Sequence, residues 1–149
     1  MQTVRGVILD VDGTLVDSND AHARAWIEAL GESGIQVPFD EVRRRIGMGG
    51  EKLLPRVTGI QEESGLGQRI SKRRSQIFQE KYLPSLHAFP DANELLSHMH
   101  ANGLRLAVAS SAKADELQPL LRICGADKLI EAKTYYGLLK RRCRDCFPT

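Results

Sequence analysis

The chain has 149 residues and a formal net charge of +2, so it is long enough to bury one hydrophobic core and too weakly charged to favour a nucleic-acid or membrane partner. Its 42% hydrophobic and 27% charged residues are typical of globular proteins that work in water. No apolar run approaches the roughly 18 residues that cross a bilayer, and three cysteines, an odd number, favour a reducing cytoplasm over a disulfide framework.

The first predicted strand covers residues 3–9 and ends in two carboxylates, Asp10 and Asp12. The run is apolar and is expected to be buried. Residues i and i+2 of an extended segment point to the same side, so both carboxylates can face one small volume before Gly13 allows a sharp turn. Two like charges at the end of a buried strand indicate a metal ion, a bound proton or a reaction. An ion-pair or capping role is the alternative.

Helices alone are predicted over the next part of the chain, from their apolar spacing and glycine stops. They cover residues 20–30, 39–46, 51–57 and 68–83. In the last of these, Lys72, Arg73 and Arg74 are expected to be a plain solvated face. This helical block, residues 16–84, is interpreted as an insertion into a core formed by residues 1–15 and 85–134.

After Pro84 helices and strands alternate. Residues 89–92 open a helix that runs to about residue 101, a strand follows over 104–109, a helix over 113–123 and a third strand over 129–132. Such alternation predicts an α/β fold with a parallel sheet covered by helices.

Two serines, Ser110 and Ser111, follow the second strand as the two aspartates follow the first. The carboxyl ends of parallel strands form one ligand-binding edge, so the two segments are expected to meet there. Hydroxyls and free N–H groups near the start of a helix favour a phosphate. A helix N-cap is the alternative for the serine pair.

Residues 10–18, Asp-Val-Asp-Gly-Thr-Leu-Val-Asp-Ser, resemble the first motif of the haloacid dehalogenase-like hydrolases, Asp-x-Asp-Gly-Thr-Leu-x-Asp-Ser, without a departure. The resemblance extends over roughly residues 4–134. It implies a Rossmann-like parallel sheet core with an inserted helical cap, and phosphoryl transfer through an aspartyl-phosphate.

The resemblance also implies a role for each matching residue. Asp10 would be the nucleophile, and Asp12 would protonate the leaving oxygen and then activate water. Thr14 would help to position Asp12. Thr14, Ser110 and Ser111 would be the phosphate-binding residues, and the two serines would hold the phosphoryl group. Mg²⁺, bound by the two aspartates, would be the cofactor. The expected partner is a phosphorylated small molecule, and the oligomeric state is left open.

The inserted helices resemble the small caps of phosphoglycolate phosphatases and β-phosphoglucomutases, which close over the site and select the substrate. Within the loop that begins at Arg45, we expect Arg45, Gly47 and Lys52 to contact substrate. A plain connection between helices is the alternative for this loop.

The last residues, 135–149, depart from the family pattern, which continues with a Lys, usually before Pro, and then an acidic motif. We hypothesise that this tail is translated out of frame. Its Cys143 and Cys146 have metal-like spacing but no second pair. Without the later strands the core would be incomplete at its C-terminus, and the strand before Asp10 would present an open edge. The alternative function is therefore a catalytically impaired fragment or binding module of the same family.

Overall fold

A computed structural model describes residues 4–135, so Cys143, Cys146 and nearly all of the divergent tail lie outside the described residues. The chain divides into two compact units, one formed by Met1–Asp17 with His87–Thr149 and the other by Ser18–Leu86. Among residues 4–135, no helix has both the length and the apolar character needed to cross a membrane.

Within the described residues, the first unit contains one parallel sheet with the strand order β1-β2-β3. The strands are β1 (Gly6–Leu9), β2 (Arg105–Ala109) and β3 (Ile130–Thr134). Leu9 of β1 pairs with Val108 of β2, and the pairing of β2 with β3 is irregular between Leu106 and Ala107. The parallel sheet with its helices confirms the predicted α/β class.

Two helices of the first unit flank β2 along the chain: α5 (Ala92–Ala101) precedes β2 and contacts it, and α6 (Ala114–Ile123) follows it. Because β1, β2 and β3 step the same way across the sheet, right-handed crossovers place both helices on one face. The burial of β2 alternates accordingly, with Leu106 and Val108 buried and the residues between and beside them more exposed. The core of this unit therefore lies between the sheet and these two helices.

The expectation of a buried first strand is wrong. In β1, exposed and half-exposed residues alternate, and Ile8 is 64% exposed. Among the described residues, β1 is the edge of the sheet, with β2 as its neighbour on one side. A strand at the edge of a sheet has a neighbouring strand on one side only, so its apolar side chains can remain exposed to water. The open edge that the sequence predicts is thus present in residues 4–135.

The second unit is helical throughout its described elements. Its α-helices are α1 (Asn19–Glu32), α2 (Phe39–Arg43), α3 (Gly50–Thr58) and α4 (Gly65–Ile77). The predicted single helix over 68–83 is wrong in its ends and its continuity, because α4 passes into a π-helical turn (Phe78–Tyr82) and a 3₁₀ turn (Leu83–Ser85). The second predicted helix is also shorter than expected, since it ends at Arg43.

The early start of α4 has a local cause. Ser64 is its N-cap, and the Ser64 hydroxyl accepts a hydrogen bond from the N–H of Gly67 at 3.0 Å. This satisfies one of the four N–H groups that a helix start leaves without a partner.

Candidate active site

Asp10 and Asp12 follow directly on β1 and interact electrostatically. Asp10 is accessible to water, but neighbouring atoms cover part of its side chain, and this partial burial is the main reason why the pKa of Asp10 is raised. The negative charge of Asp12 raises it further, while hydrogen bonds from the Val11 N–H and the Thr14 hydroxyl oppose the shift. The Asp10 carboxyl is therefore within electrostatic range of the Asp12 carboxyl, and the two negative charges repel each other.

A glycine turn follows the two aspartates. Gly13 has a φ of 73°, a conformation that glycine adopts without steric cost. Its N–H donates to the carbonyl of Val16 at 2.8 Å, and an isolated β-bridge joins Asp12 to Val16. The exposed Thr14 lies on this turn, and hydrogen bonding by its side chain lowers the pKa of Asp10. The resemblance had assigned this threonine to Asp12.

Ser110 and Ser111 occupy the loop after β2, one strand away from the aspartates. Since Leu9 pairs with Val108, the residues that follow each of them emerge at the same edge of the sheet, where adjacent strands lie about 4.8 Å apart. Ser110 is buried, and its N–H donates to the carbonyl of Thr134 on β3 at 3.0 Å. Ser111 is exposed.

The N-cap alternative for the serine pair is wrong, because Lys113 is the N-cap of α6. The Ser110 hydroxyl instead accepts a hydrogen bond from the N–H of Ala112 at 3.0 Å, in the turn before the helix. This bond uses an acceptor lone pair and leaves the hydroxyl proton of Ser110 available to a ligand oxygen.

The candidate cap residues lie in the second unit. Arg45 donates to the backbone carbonyl of Glu41 at 2.7 Å and also lies 3.5 Å from its carboxylate. Gly47 has a φ of 101°, so the connection between α2 and α3 depends on glycine at this point. Lys52 is exposed on α3. Arg45 thus contacts Glu41, one turn earlier in its own segment.

A cluster in the second unit was missed by sequence reasoning. Arg74 lies over the rings of Trp26 and Phe78, at 5.6 and 5.3 Å from their centroids, and hydrogen bonds to Nδ1 of His22. His22 is buried and stacks on Phe78 at 4.0 Å. The expectation that Arg74 belongs to a solvated face is therefore wrong. The spacing contains a signal, since His22 and Trp26, and likewise Arg74 and Phe78, are four residues apart on one helical face.

The donor atoms near β1 fit a hard divalent cation. The carboxylates of Asp10 and Asp12 are oxygen ligands. A bound cation would neutralise their negative charges, which repel each other. Mg²⁺ is commonly bound through one or two carboxylates together with water and substrate phosphate. Within residues 4–135, no group of three or more His, Cys, Asp or Glu side chains is placed to hold a metal ion.

A family model for the haloacid dehalogenase-like hydrolases matches residues 4–141. The chain belongs to this family. A phosphoglycolate phosphatase from Nitrosospira multiformis is 32% identical over 125 residues, which are 80% of this chain and 55% of that enzyme. The Arabidopsis thaliana protein SUPPRESSOR OF QUENCHING 1, chloroplastic, is 32% identical over 143 residues, which are 91% of this chain and 14% of that protein.

The fold of this haloacid dehalogenase-like chain also matches solved structures. A hydrolase from Pseudomonas syringae superimposes with a TM-score of 0.79 at 26% identity, covering 89% of this chain and 61% of that one. The chain thus spans about half of the matched phosphoglycolate phosphatase and less than two thirds of the matched structure.

Proposed function

We propose that the chain is a phosphohydrolase that cleaves a small phosphate monoester through an aspartyl-phosphate on Asp10. The strongest support is that the charge of Asp12 raises the pKa of Asp10, and that the buried Ser110 follows the strand paired with β1. Family membership gives the same reaction class. Because several relatives are named phosphoglycolate phosphatases, 2-phosphoglycolate is the first substrate to test.

In the first step, a carboxylate oxygen of Asp10 attacks the phosphorus atom and the bond from phosphorus to the ester oxygen breaks. Asp12 donates a proton to the departing oxygen, so the product leaves as an alcohol. In the second step, Asp12 takes a proton from water, and that water attacks phosphorus. The bond to Asp10 breaks, and inorganic phosphate and the free carboxylate are released.

Asp10 must be ionised to attack, and Asp12 must hold a proton in the first step and lack one in the second. The raised pKa of Asp10 opposes its ionisation, and a bound cation would offset that effect. The Ser110 hydroxyl and the N–H groups at the start of α6 would hydrogen bond to phosphoryl oxygens. Asp10 and Asp12 would hold Mg²⁺. When bound, Mg²⁺ supplies positive charge that offsets the repulsion between phosphate and carboxylate.

We assign the second unit the role of a cap. Its Gly47 turn would let backbone approach a substrate closely, and Lys52 offers an exposed positive charge. Arg45 would have to exchange its bonds with Glu41 for bonds to an anion.

The second candidate is a module of the same family that binds the phosphate ester without turnover. Its basis is the same pair of segments, since the exposed Asp10 and the buried Ser110 could contact a phosphate ester whether or not turnover follows.

A phosphatase assay with 2-phosphoglycolate and Mg²⁺ separates the two candidates. We expect phosphate release by the 149-residue chain, its loss in Asp10→Asn, and its retention in Asp91→Asn. Asp91 is exposed and makes no capping hydrogen bond with its side chain, so it is a matched control in the same unit. Tight binding of the substrate with no release above background would support the binding module.

A further inference from the structure

The loop that joins α2 to α3, residues 44–49, is held at its first end by α1. Arg43, the last residue of α2, forms an ion pair with Asp20. One turn later on α1, the guanidinium of Arg24 lies 5.3 Å from the centre of the Phe39 ring, at the start of α2. Both ends of α2 are therefore joined to α1, and α1 fixes the point from which the loop begins.

The other end of the α2–α3 loop meets Trp26 of the same helix. At Gly50, the first residue of α3, an added Cβ would lie 3.0 Å from Cζ2 and 3.5 Å from Cη2 of the Trp26 indole. The indole thus fills the space that a side chain at position 50 would take. Trp26 is itself held in place, because it is buried and the guanidinium of Arg74 lies over its ring at 5.6 Å. The ring cannot move aside without losing that packing.

Between its two ends the α2–α3 loop contains two glycines with positive φ, Gly47 at 101° and Gly49 at 82°. Glycine has access to more backbone conformations than other residues, so the conformation of this loop depends strongly on how its ends are held. Gly47 and Met48 are exposed. A contact that fixes one end of the loop therefore also determines what its exposed part presents to a ligand.

We propose that Trp26 is a positioning residue, whose indole holds the α2–α3 loop at Gly50 and so sets the conformation in which the loop contacts substrate. The inference rests on the proposed function of the second unit as a cap. Because Trp26 is buried, it acts through the loop and does not itself touch substrate. Loss of the contact is therefore expected to weaken substrate binding and to leave the chemical step nearly unchanged.

A double-mutant cycle tests the contact by steady-state kinetics with 2-phosphoglycolate and Mg²⁺. Gly50→Ala adds a Cβ against the indole and is expected to raise KM about 5- to 20-fold while kcat stays within about twofold. Trp26→Phe removes Cζ2 and Cη2, so adding Gly50→Ala to that variant should raise KM by no more than about twofold further. Gly65→Ala, whose added Cβ would lie at an ordinary 3.7 Å from Nη1 of Arg69, is the matched control and should leave KM unchanged.

A measurement without substrate tests the same contact. Amide relaxation of the chain labelled with ¹⁵N-glycine reports the mobility of the loop backbone. We expect lower order parameters or exchange broadening at Gly47 and Gly49 in Trp26→Phe than in the natural sequence. Gly67, which lies in α4, should keep the value of about 0.85 that is typical of rigid backbone.

Three results would overturn the inference: unchanged relaxation of Gly47 and Gly49 in Trp26→Phe, an unchanged KM in Gly50→Ala, or a fall in kcat at unchanged KM. Retention of full activity in Asp10→Asn would instead refute the proposed function. In that case, or if the chain shows no turnover, titration of the labelled chain with 2-phosphoglycolate takes the place of KM. Absence of shifts at Gly47 and Gly49 in that titration would also overturn the inference.

Discussion

Two glycines in the first turn of α4 should respond in opposite ways to the same substitution. At Gly67, an added Cβ would lie 2.8 Å from Cα and 2.9 Å from the carbonyl oxygen of Glu62, and would collide with the carbonyl of Gln61. These are backbone atoms, so the segment before the helix must shift. At Gly65, the nearest atom to an added Cβ is Nη1 of Arg69, at an ordinary 3.7 Å.

The magnitudes follow from these contacts. Alanine gains up to about 1 kcal/mol over glycine in a helix interior and less in the first turn, so Gly65→Ala should stabilise the unit by about 0.5 kcal/mol. Gly67→Ala has a similar gain, but overpacking against backbone costs about 3 kcal/mol. We therefore expect a net destabilisation of about 2 kcal/mol for Gly67→Ala.

Urea unfolding followed by tryptophan fluorescence measures this difference. The single tryptophan of the chain, Trp26, is buried in α1 of the same unit, and α1 packs against α4. Its emission therefore reports unfolding of the unit that contains both glycines. Equal midpoints for the two variants, or a higher midpoint for Gly67→Ala, would refute the reasoning about the backbone contact.

Three further predictions concern charge and exposure. The pKa of Asp10 is raised by partial burial and then by Asp12, so ionisation of Asp10 lowers the stability of the folded state as pH rises through that pKa. Asp10→Asn should therefore raise the urea midpoint at pH 7, and this gain should shrink toward pH 4. A gain that does not change with pH would contradict this. Arg74→Met should destabilise the second unit by about 2 kcal/mol, because it removes a charged hydrogen bond and two cation–π contacts. A loss of stability as small as that of the exposed control Lys72→Met would show that these contacts contribute little. Ile8→Lys should leave stability within about 0.5 kcal/mol, since Ile8 is 64% exposed, and should delay aggregation in light scattering; a large loss of stability would show that Ile8 is covered in solution.

The sequence predicts local patterns well because these depend on neighbours along the chain. The strand over 104–109 is observed as Arg105–Ala109, with its apolar run bounded by turn residues, and the helix over 113–123 as Ala114–Ile123. The end of α4 was harder to predict. The helix widens into a π-helical turn at Phe78 before Pro84, and apolar spacing cannot distinguish that turn from continued α-helix.

Burial and partners across the fold could not be read from the sequence in the same way. An apolar run such as that of β1 fits a central strand and an edge strand equally well, and its burial depends on which elements lie beside it. Arg74 looks like part of a basic surface triplet, yet two of its contacts, with His22 and Trp26, come from α1, more than 40 residues earlier in the chain. For the candidate site, motif spacing placed the aspartates and serines at adjacent strand ends, while the effect of Thr14 on the pKa of Asp10 depends on the folded turn.

The covalent intermediate is the most direct test of the central claim. The chain would be mixed with 2-phosphoglycolate and Mg²⁺, quenched during turnover and treated with borohydride, which reduces an acyl phosphate to the alcohol. Peptide mass spectrometry then locates the modified side chain. The proposed mechanism predicts homoserine at position 10, dependent on substrate and absent from Asp10→Asn. Turnover without modification at position 10, or with modification at Asp12 in its place, would contradict it.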